Sequence, residues 1–322
     1  MRTLAALSLI FVFASNILVF AQSEEATATV GLEVRFMQPT QLPGDFAILD
    51  PDSDGSIEGV VQRTEFTAES SLAPYVIWQM SNGSAVKVQF WDYDGTARAE
   101  AVSGAGVLRD ILYRPDVALG SYAGTASAVS TVEAETFEAT YSQPLKIVDD
   151  NGQKRRWDFV AGMRYASVDH RMETNYVATT TTETVVSTSE FDAIGLLIGS
   201  RASFDFGRRW GVLLFGNVAL LSGEIDASLR HTNSVAGPGS PDLDLNDGRD
   251  QMTQMVEAGV QIEWRAWTDY DKSKQEHRLA PRAVSGRFGF AIASWDGAVQ
   301  QLGEPAGDIR WDGFYATAAI AW

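Results

Sequence analysis

Apolar and polar side chains alternate with a period of two in ten separate stretches of this chain, near residues 27–38, 71–80, 84–93, 131–142, 156–168, 189–203, 210–230, 251–268, 284–296 and 311–322. A period of two predicts β-strands with one face in an apolar medium. The pattern is cleanest in QMTQMVEAGVQIEWRAWTD, where Val256, Ala258, Val260, Ile262, Trp264 and Ala266 take the even positions and Glu257, Gly259, Gln261, Glu263 and Arg265 the odd ones. The first stretch sets Val30, Leu32, Val34 and Phe36 against Thr29, Gly31, Glu33 and Arg35, and the third sets Val86, Val88 and Phe90 against Lys87 and Gln89. In the fifth, Phe159, Ala161, Met163 and Tyr165 oppose Asp158, Gly162 and Arg164. Most of the stretches are long enough to cross hydrocarbon at a tilt.

The last stretch, WDGFYATAAIAW, keeps its alternation to the final residue, with Phe314, Ala316, Ala318, Ile320 and Trp322 on one face and Tyr315, Thr317, Ala319 and Ala321 on the other. Chain ends normally fray. A terminal strand this regular fits the strand that closes a barrel, and Phe314, Ile320 and Trp322 are a candidate C-terminal signal for the barrel-assembly machinery.

Alternation alone also describes a soluble sandwich with one wet face, and the connections carry the distinction. After the first, third, fifth, seventh and ninth stretches they run to roughly 32, 37, 20, 20 and 14 residues; after the others, to roughly 3, 13, 6 and 15. Ser81-Asn82-Gly83 and Gly207-Arg208-Arg209 in the short set read as tight turns. Long connections at one end and short ones at the other are the layout of an outer-membrane barrel, and an even strand count returns both termini to the periplasmic side. Trp78, Trp91, Trp157, Trp210, Trp267, Trp311 and Trp322, all near stretch ends, are expected to form the two interfacial girdles. The fold class expected is therefore all-β: a single antiparallel transmembrane barrel of about ten strands, occupying residues 22–322.

Composition narrows the function. A net charge of -17 argues against nucleic acid as a partner, since phosphates are bound by clustered Lys and Arg. The absence of cysteine removes disulfides, thiolate metal sites and cysteine nucleophiles. Residues 1–21, with Arg2, an apolar run from Leu4 and Val19-Phe20-Ala21 at the end, read as a signal peptide cleaved after Ala21; an uncleaved anchor is the competing reading. The most apolar later segment, Trp210 to Gly223, is 14 residues with three glycines, too short for a spanning helix.

If the apolar parity faces outer-membrane lipid, the lumen receives Glu33, Arg35, Lys87, Gln89, Glu138, Asp158, Arg164, Arg201, Glu224, Asp226, Gln261, Glu263, Arg265 and Arg287. Charges facing lipid near the midplane would cost on the order of 2–4 kcal/mol each, so they belong in a polar interior. Arg35 and Arg287 are expected to find carboxylate partners along or across the wall, and small Ala319 and Ala321 to leave room beside Arg35. A ten-stranded barrel is narrow, and long side chains of both signs can also pair and fill it, leaving an ion-paired core without a channel.

The run ETFEATYSQPLKIVDDNGQKRRWDFVAGMRYASVDHRM, Glu135 to Met172, resembles the central hairpin of the Legionella-type major outer-membrane protein family of pore-forming barrels, with Gly162-Met163-Arg164-Tyr165 carrying the likeness and FWDYDG and the closing strand agreeing less specifically. The motif likeness covers about a third of the chain. It implies a pore-forming role in the outer membrane, with small polar solutes or ions as the partners that pass.

Three other groupings carry candidate chemistry. In LDPDSDGSIEG, Asp50, Asp52 and Asp54 precede Gly55 at alternate positions, as in the first nine positions of a calcium loop, but Val61 replaces the twelfth-position glutamate. Calcium bound there would have a Kd no better than about 10⁻⁴–10⁻³ M; an acidic loop tip of Asx turns is the alternative, and no other cofactor is expected. Asp92-Tyr93-Asp94 and Asp169-His170 at outer strand ends resemble the acidic pair and Asp/His pair of omptin-type outer-membrane proteases, except that adjacent residues on a strand point to opposite faces and cannot orient each other. ATTTTETVVSTS, Ala178 to Ser189, is hydroxyl-rich and β-prone and reads as an extended strand end or an adhesive surface.

Overall fold

The computed structural model describes residues 27–51, 59–104, 106–110, 121–122, 124–150, 153–178, 181–206, 209–233, 243–267, 283–300 and 307–322; the expected signal peptide, residues 1–21, lies outside them. The strands are β1 (Thr27–Thr40), β2 (Asp45–Asp50), β3 (Val60–Arg63), β4 (Glu69–Gln79), β5 (Ala85–Val102), β6 (Val107–Asp110), β7 (Ser121–Tyr122), β8 (Gly124–Asp150), β9 (Gln153–Ala178), β10 (Thr182–Phe206), β11 (Trp210–Asn233), β12 (Leu243–Trp267), β13 (Ala283–Val299) and β14 (Gly307–Ala321). Ten of them close an antiparallel barrel in the order β1-β14-β13-β12-β11-β10-β9-β8-β5-β4, with β4 returning to β1.

The register fixes the tilt. Partners followed once round the wall run from Thr40 through Arg310, Ser294, Val256, Val218, Ile198, Ala161, Tyr141, Val86 and Trp78 to Ala28, so the circuit returns to β1 displaced by 12 residues. Such a stagger tilts the strands about 35–45° from the barrel axis. Every residue on that circuit belongs to the outward parity. Leu32, Phe36, Met163, Leu196, Ile198, Val260, Ile262, Phe288 and Phe314 share this exposed face and form a continuous apolar belt, the surface a barrel turns to lipid.

The ten strands occur where alternation predicts them, but five run far past the predicted ends. β8, β9 and β10 have 27, 26 and 25 residues, against the roughly 9–11 that hydrocarbon requires. In place of the expected 20-residue connection after the fifth stretch, β9 therefore continues to Ala178 and β10 begins at Thr182, so that TETVVSTS supplies the start of β10 as an extended strand end. The hydroxyl-rich, β-branched composition of these extensions suits paired strand in water, yet lacks the greasy parity that marks a strand in lipid.

At the end holding both termini, β4 and β5 meet in the turn at residues 80–84, where Gly83 takes φ 82° and the Gly83 amide donates to the Met80 carbonyl over 2.9 Å. At the opposite end, the first two long connections fold into a second sheet, β3-β2-β6-β7. Its Phe46, Ala47 and Leu108 are fully buried against Ala101, Met172, Tyr176, Val185 and Leu229 on the inner face of the upper wall, and the Tyr176 hydroxyl donates to the Phe46 carbonyl. This sheet caps the mouth of the barrel.

Candidate functional site in the barrel lumen

Alternation delivers the polar parity of each strand to one shared interior, and there the charges pair at close range. Some partners are two residues apart on one strand: Arg35 Nε donates to Glu33 over 2.5 Å, Arg156 Nε to both Asp158 oxygens over 2.7 and 2.9 Å, and Arg265 Nε to Glu263 over 2.7 Å. Others join strands. Arg287 donates to Glu263 over 2.9 Å from the directly opposite register position, and Arg265 reaches Asp205 at 2.9 Å. Arg164 binds Glu138 on the neighbouring strand and, over 2.8 Å, Glu257 on β12 across the lumen. These bonds are short, charge-assisted and largely removed from water, the condition in which pairing is required of buried charge. The layer encloses a cavity of about 60 Å³, room for a few water molecules.

Towards the capped end the interior changes character. Trp91, Tyr93, Trp295 and Trp311 converge with ring centroids 4.8–6.3 Å apart, mostly edge to face, and the Arg35 guanidinium lies 5.5 Å from the Trp91 ring. Above them Val132, Val168, Phe191, Leu221 and Ile225 are fully buried, and all ten barrel strands contribute to this one apolar cluster. Glycine makes space for inward rings lower down: a Cβ at Gly31 would stand 2.3 Å from the Tyr75 ring, and one at Gly289 2.7 Å from Tyr315.

Twelve of the fourteen residues expected in the lumen, Glu33, Arg35, Lys87, Gln89, Glu138, Asp158, Arg164, Arg201, Gln261, Glu263, Arg265 and Arg287, sit on the inner parity of their strands, and both expected carboxylate partners exist. Two further expectations need correction. Glu224 and Asp226 are exposed on the outer face of β11, because the inward parity there is carried by Leu221, Gly223 and Ile225; they stand beyond the apolar belt, where water solvates them. Arg35 faces Tyr315 across the β1–β14 pairing, whereas Ala319 lies opposite Gly31 and Ala321 opposite Thr29.

The girdle assignment also divides. Trp157 and Trp210 are more than half exposed on the outside, whereas Trp91 and Trp311 are buried inside. Counting parity on β5 from Lys87 and Gln89 places Trp91 inward; its position near a strand end was the weaker signal. Glu257 and Asp205 join the ion pairs but were absent from the expected lumen set, although Glu257 alternates with Gln261 and Glu263 in the cleanest stretch of all.

Phe314 and Ile320 face outward on the closing strand, and the Trp322 amide donates to the Ala28 carbonyl over 2.9 Å, which joins the last residue to the first strand. The Asp50 carboxylate is buried and held by Arg109 Nε at 2.6 Å; Asp52 and Asp54 lie outside the described residues. The protease-like groups are not brought together, since Asp92, Asp94 and Asp169 take the outward parity while His170 is buried inside, 2.9 Å from the Ser130 hydroxyl.

The outer membrane protease OmpT from Escherichia coli is similar in structure at 10% identity, with 94% of this chain and 97% of that chain covered and a TM-score of 0.44. The toluene transporter TodX from Pseudomonas putida (9% identity, coverage 92% and 89%, TM-score 0.23) and a FadL homologue from Pseudomonas aeruginosa (8%, 93% and 90%, 0.18) are also matched. No curated protein sequence matches the chain. The profile of the Legionella pneumophila major outer membrane protein precursor matches residues 23–276. With a closed ten-stranded barrel, an apolar outer belt and this match over most of its length, the chain belongs to the Legionella major outer membrane protein family and is an outer-membrane β-barrel.

Proposed function

We propose that the protein is a closed-lumen outer-membrane barrel whose work is done by its wall and its outer cap, as a structural or surface-interaction protein. One observation carries this reading: the apolar cluster from Trp91 to Val132 draws on every strand of the barrel and lies between the polar layer and the cap, so a hydrated path would have to displace tightly packed aromatic and branched side chains. Outer-membrane lipid is then the chief partner, and assembly proceeds through the barrel-assembly machinery with Phe314, Ile320 and Trp322 as the recognised end. Current measured across a planar bilayer holding the refolded protein is expected to stay at the leak level. Steps of unitary conductance from the unmodified protein would overturn the reading.

A second reading, porin-like passage of small polar solutes or ions, is favoured by the charged inner layer and the cavity it encloses. It requires the aromatic layer to part. Under it, Trp91→Ala combined with Trp311→Ala should raise conductance by an order of magnitude, and Arg35→Glu should shift selectivity towards cations; a silent double variant would remove this reading.

A further inference from the structure

The pairing of the inner layer is incomplete in one place. Arg35, Arg156, Arg164, Arg265 and Arg287 each hold a carboxylate. Arg201 and Lys87 have no carboxylate within ion-pair distance among the described residues, although both line the internal cavity. Arg201 is opposite Asp158 in the β9–β10 register, but Asp158 is engaged through both oxygens by Arg156. Lys87 gives one hydrogen bond, over 2.6 Å, to the Gln89 side-chain oxygen, and stands 5.2 Å from the centre of the Tyr75 ring.

The neutral groups around the same cavity point to the same ligand. Gln89 and Tyr75 are 5% and 2% exposed, and the Gln89 amide nitrogen and the Tyr75 hydroxyl have no partner among the described residues; the Gln261 side-chain oxygen, an acceptor, is open on the same cavity. Because the Gln89 oxygen accepts from Lys87, its free end is the NH₂ group, a donor. Arg201 and Lys87 can only donate. The cavity therefore presents donors from four side chains beside the paired carboxylates of Glu33, Glu138 and Glu257, and because Arg164 takes two carboxylates the layer keeps one surplus positive charge, costly where it is buried. Water would satisfy the hydrogen bonds and leave the charge uncompensated. The space, about 60 Å³, admits a ligand of only a few heavy atoms.

We propose that this cavity is a binding site for a small oxyanion, a carboxylate or a phosphate, held between Arg201 and Lys87 with the Gln89 amide and the Tyr75 hydroxyl as its neutral donors. The planar guanidinium of Arg201 suits two oxygens at once, whereas the Lys87 ammonium acts as a point charge. The site does not depend on whether the barrel conducts, since a resident anion would complete a closed layer equally well.

The test uses the full-length protein refolded in detergent micelles, with unfolding midpoints recorded in sodium phosphate, sodium acetate and sodium chloride at one ionic strength. Phosphate, acetate or both should raise the midpoint in a saturable way that chloride does not reproduce, and which of the two acts at lower concentration names the ligand class. Arg201→Gln and Lys87→Met should each weaken this apparent affinity at least tenfold. In chloride both variants should unfold at or above the parent temperature, because each removes the one surplus positive charge of the layer, and Tyr75→Phe, which loses one oxygen, should weaken binding with the fold intact. Equal midpoints in the three salts, or an oxyanion effect that survives unchanged in Arg201→Gln and Lys87→Met, would overturn the proposal.

Discussion

The lower and upper halves of the lumen are filled by opposite chemistries. Below, Glu33, Arg35, Glu138, Arg164, Glu257, Glu263 and Arg287 pack as a charged layer in which most groups satisfy one another. Above, Trp91, Trp295, Trp311, Phe191 and Ile225 pack as an ordinary hydrophobic core, although this stretch of wall includes strand that rises past the lipid belt. The polar layer coincides with the apolar belt outside and the apolar layer extends towards exposed carboxylates such as Asp192, Glu224 and Asp226. The barrel thus inverts: greasy outside and polar within at membrane level, polar outside and greasy within above it. Which face is apolar follows the surrounding medium, and the upper wall behaves as a soluble barrel built onto a membrane one.

The inversion can be broken from either half. Arg164→Met leaves Glu138 and Glu257 buried without their cation, and should cost about 3–5 kcal/mol, read as a lowered urea midpoint of the refolded barrel. Replacing Glu138 and Glu257 by Gln in the same chain should recover most of that loss; no recovery would mean that Arg164 contributes through packing. In the upper half, Trp311→Ala opens a cavity in the aromatic layer and should cost roughly 3–4 kcal/mol, towards the lower end of such truncations because the buried indole N–H has no acceptor among the described residues.

Outside, Leu196→Arg puts a charge in the middle of the belt between Ile194 and Ile198 and should cost about 2–4 kcal/mol. Arg in place of half-buried Ser228, on the same outer face near the cap, should cost far less, chiefly the hydroxyl contact with Thr188; equal costs would show that the apolar belt extends to that height. The smallest effect is expected at Arg171, whose bond to Glu173 (2.9 Å) is exposed to water on the upper outer wall: Arg171→Ala should change stability by no more than about 1 kcal/mol, and less in high salt.

Much of this was legible in the residues. The motifs Glu33-Val34-Arg35, Arg156-Trp157-Asp158 and Glu263-Trp264-Arg265 place opposite charges two apart, hence on one face of one strand, and all three are bonded. Parity likewise gave the inner face for twelve of the fourteen residues expected there. It misled where the solvent changes along a strand: on upper β11, Glu224 and Asp226 were assigned to the lumen because charge had marked the inner face lower down. The bond of Arg164 to Glu257, 93 residues away, had no local signal of any kind.

The sequence by itself determined the period, the parity and the chemistry of the two faces, because side-chain direction on a strand repeats every two residues and requires no knowledge of distant chain. It also determined that ten such strands exist and that the last runs to the end of the chain. Tertiary structure alone decided the displacement of 12 residues around the wall, which sets the tilt and therefore which side chains meet across the lumen. It alone decided that two long connections fold into a sheet over the mouth, and that Arg201 and Lys87 line one cavity with no carboxylate within ion-pair distance of either among the described residues. These are consequences of closure, a condition on all ten strands together that no single stretch of residues can express.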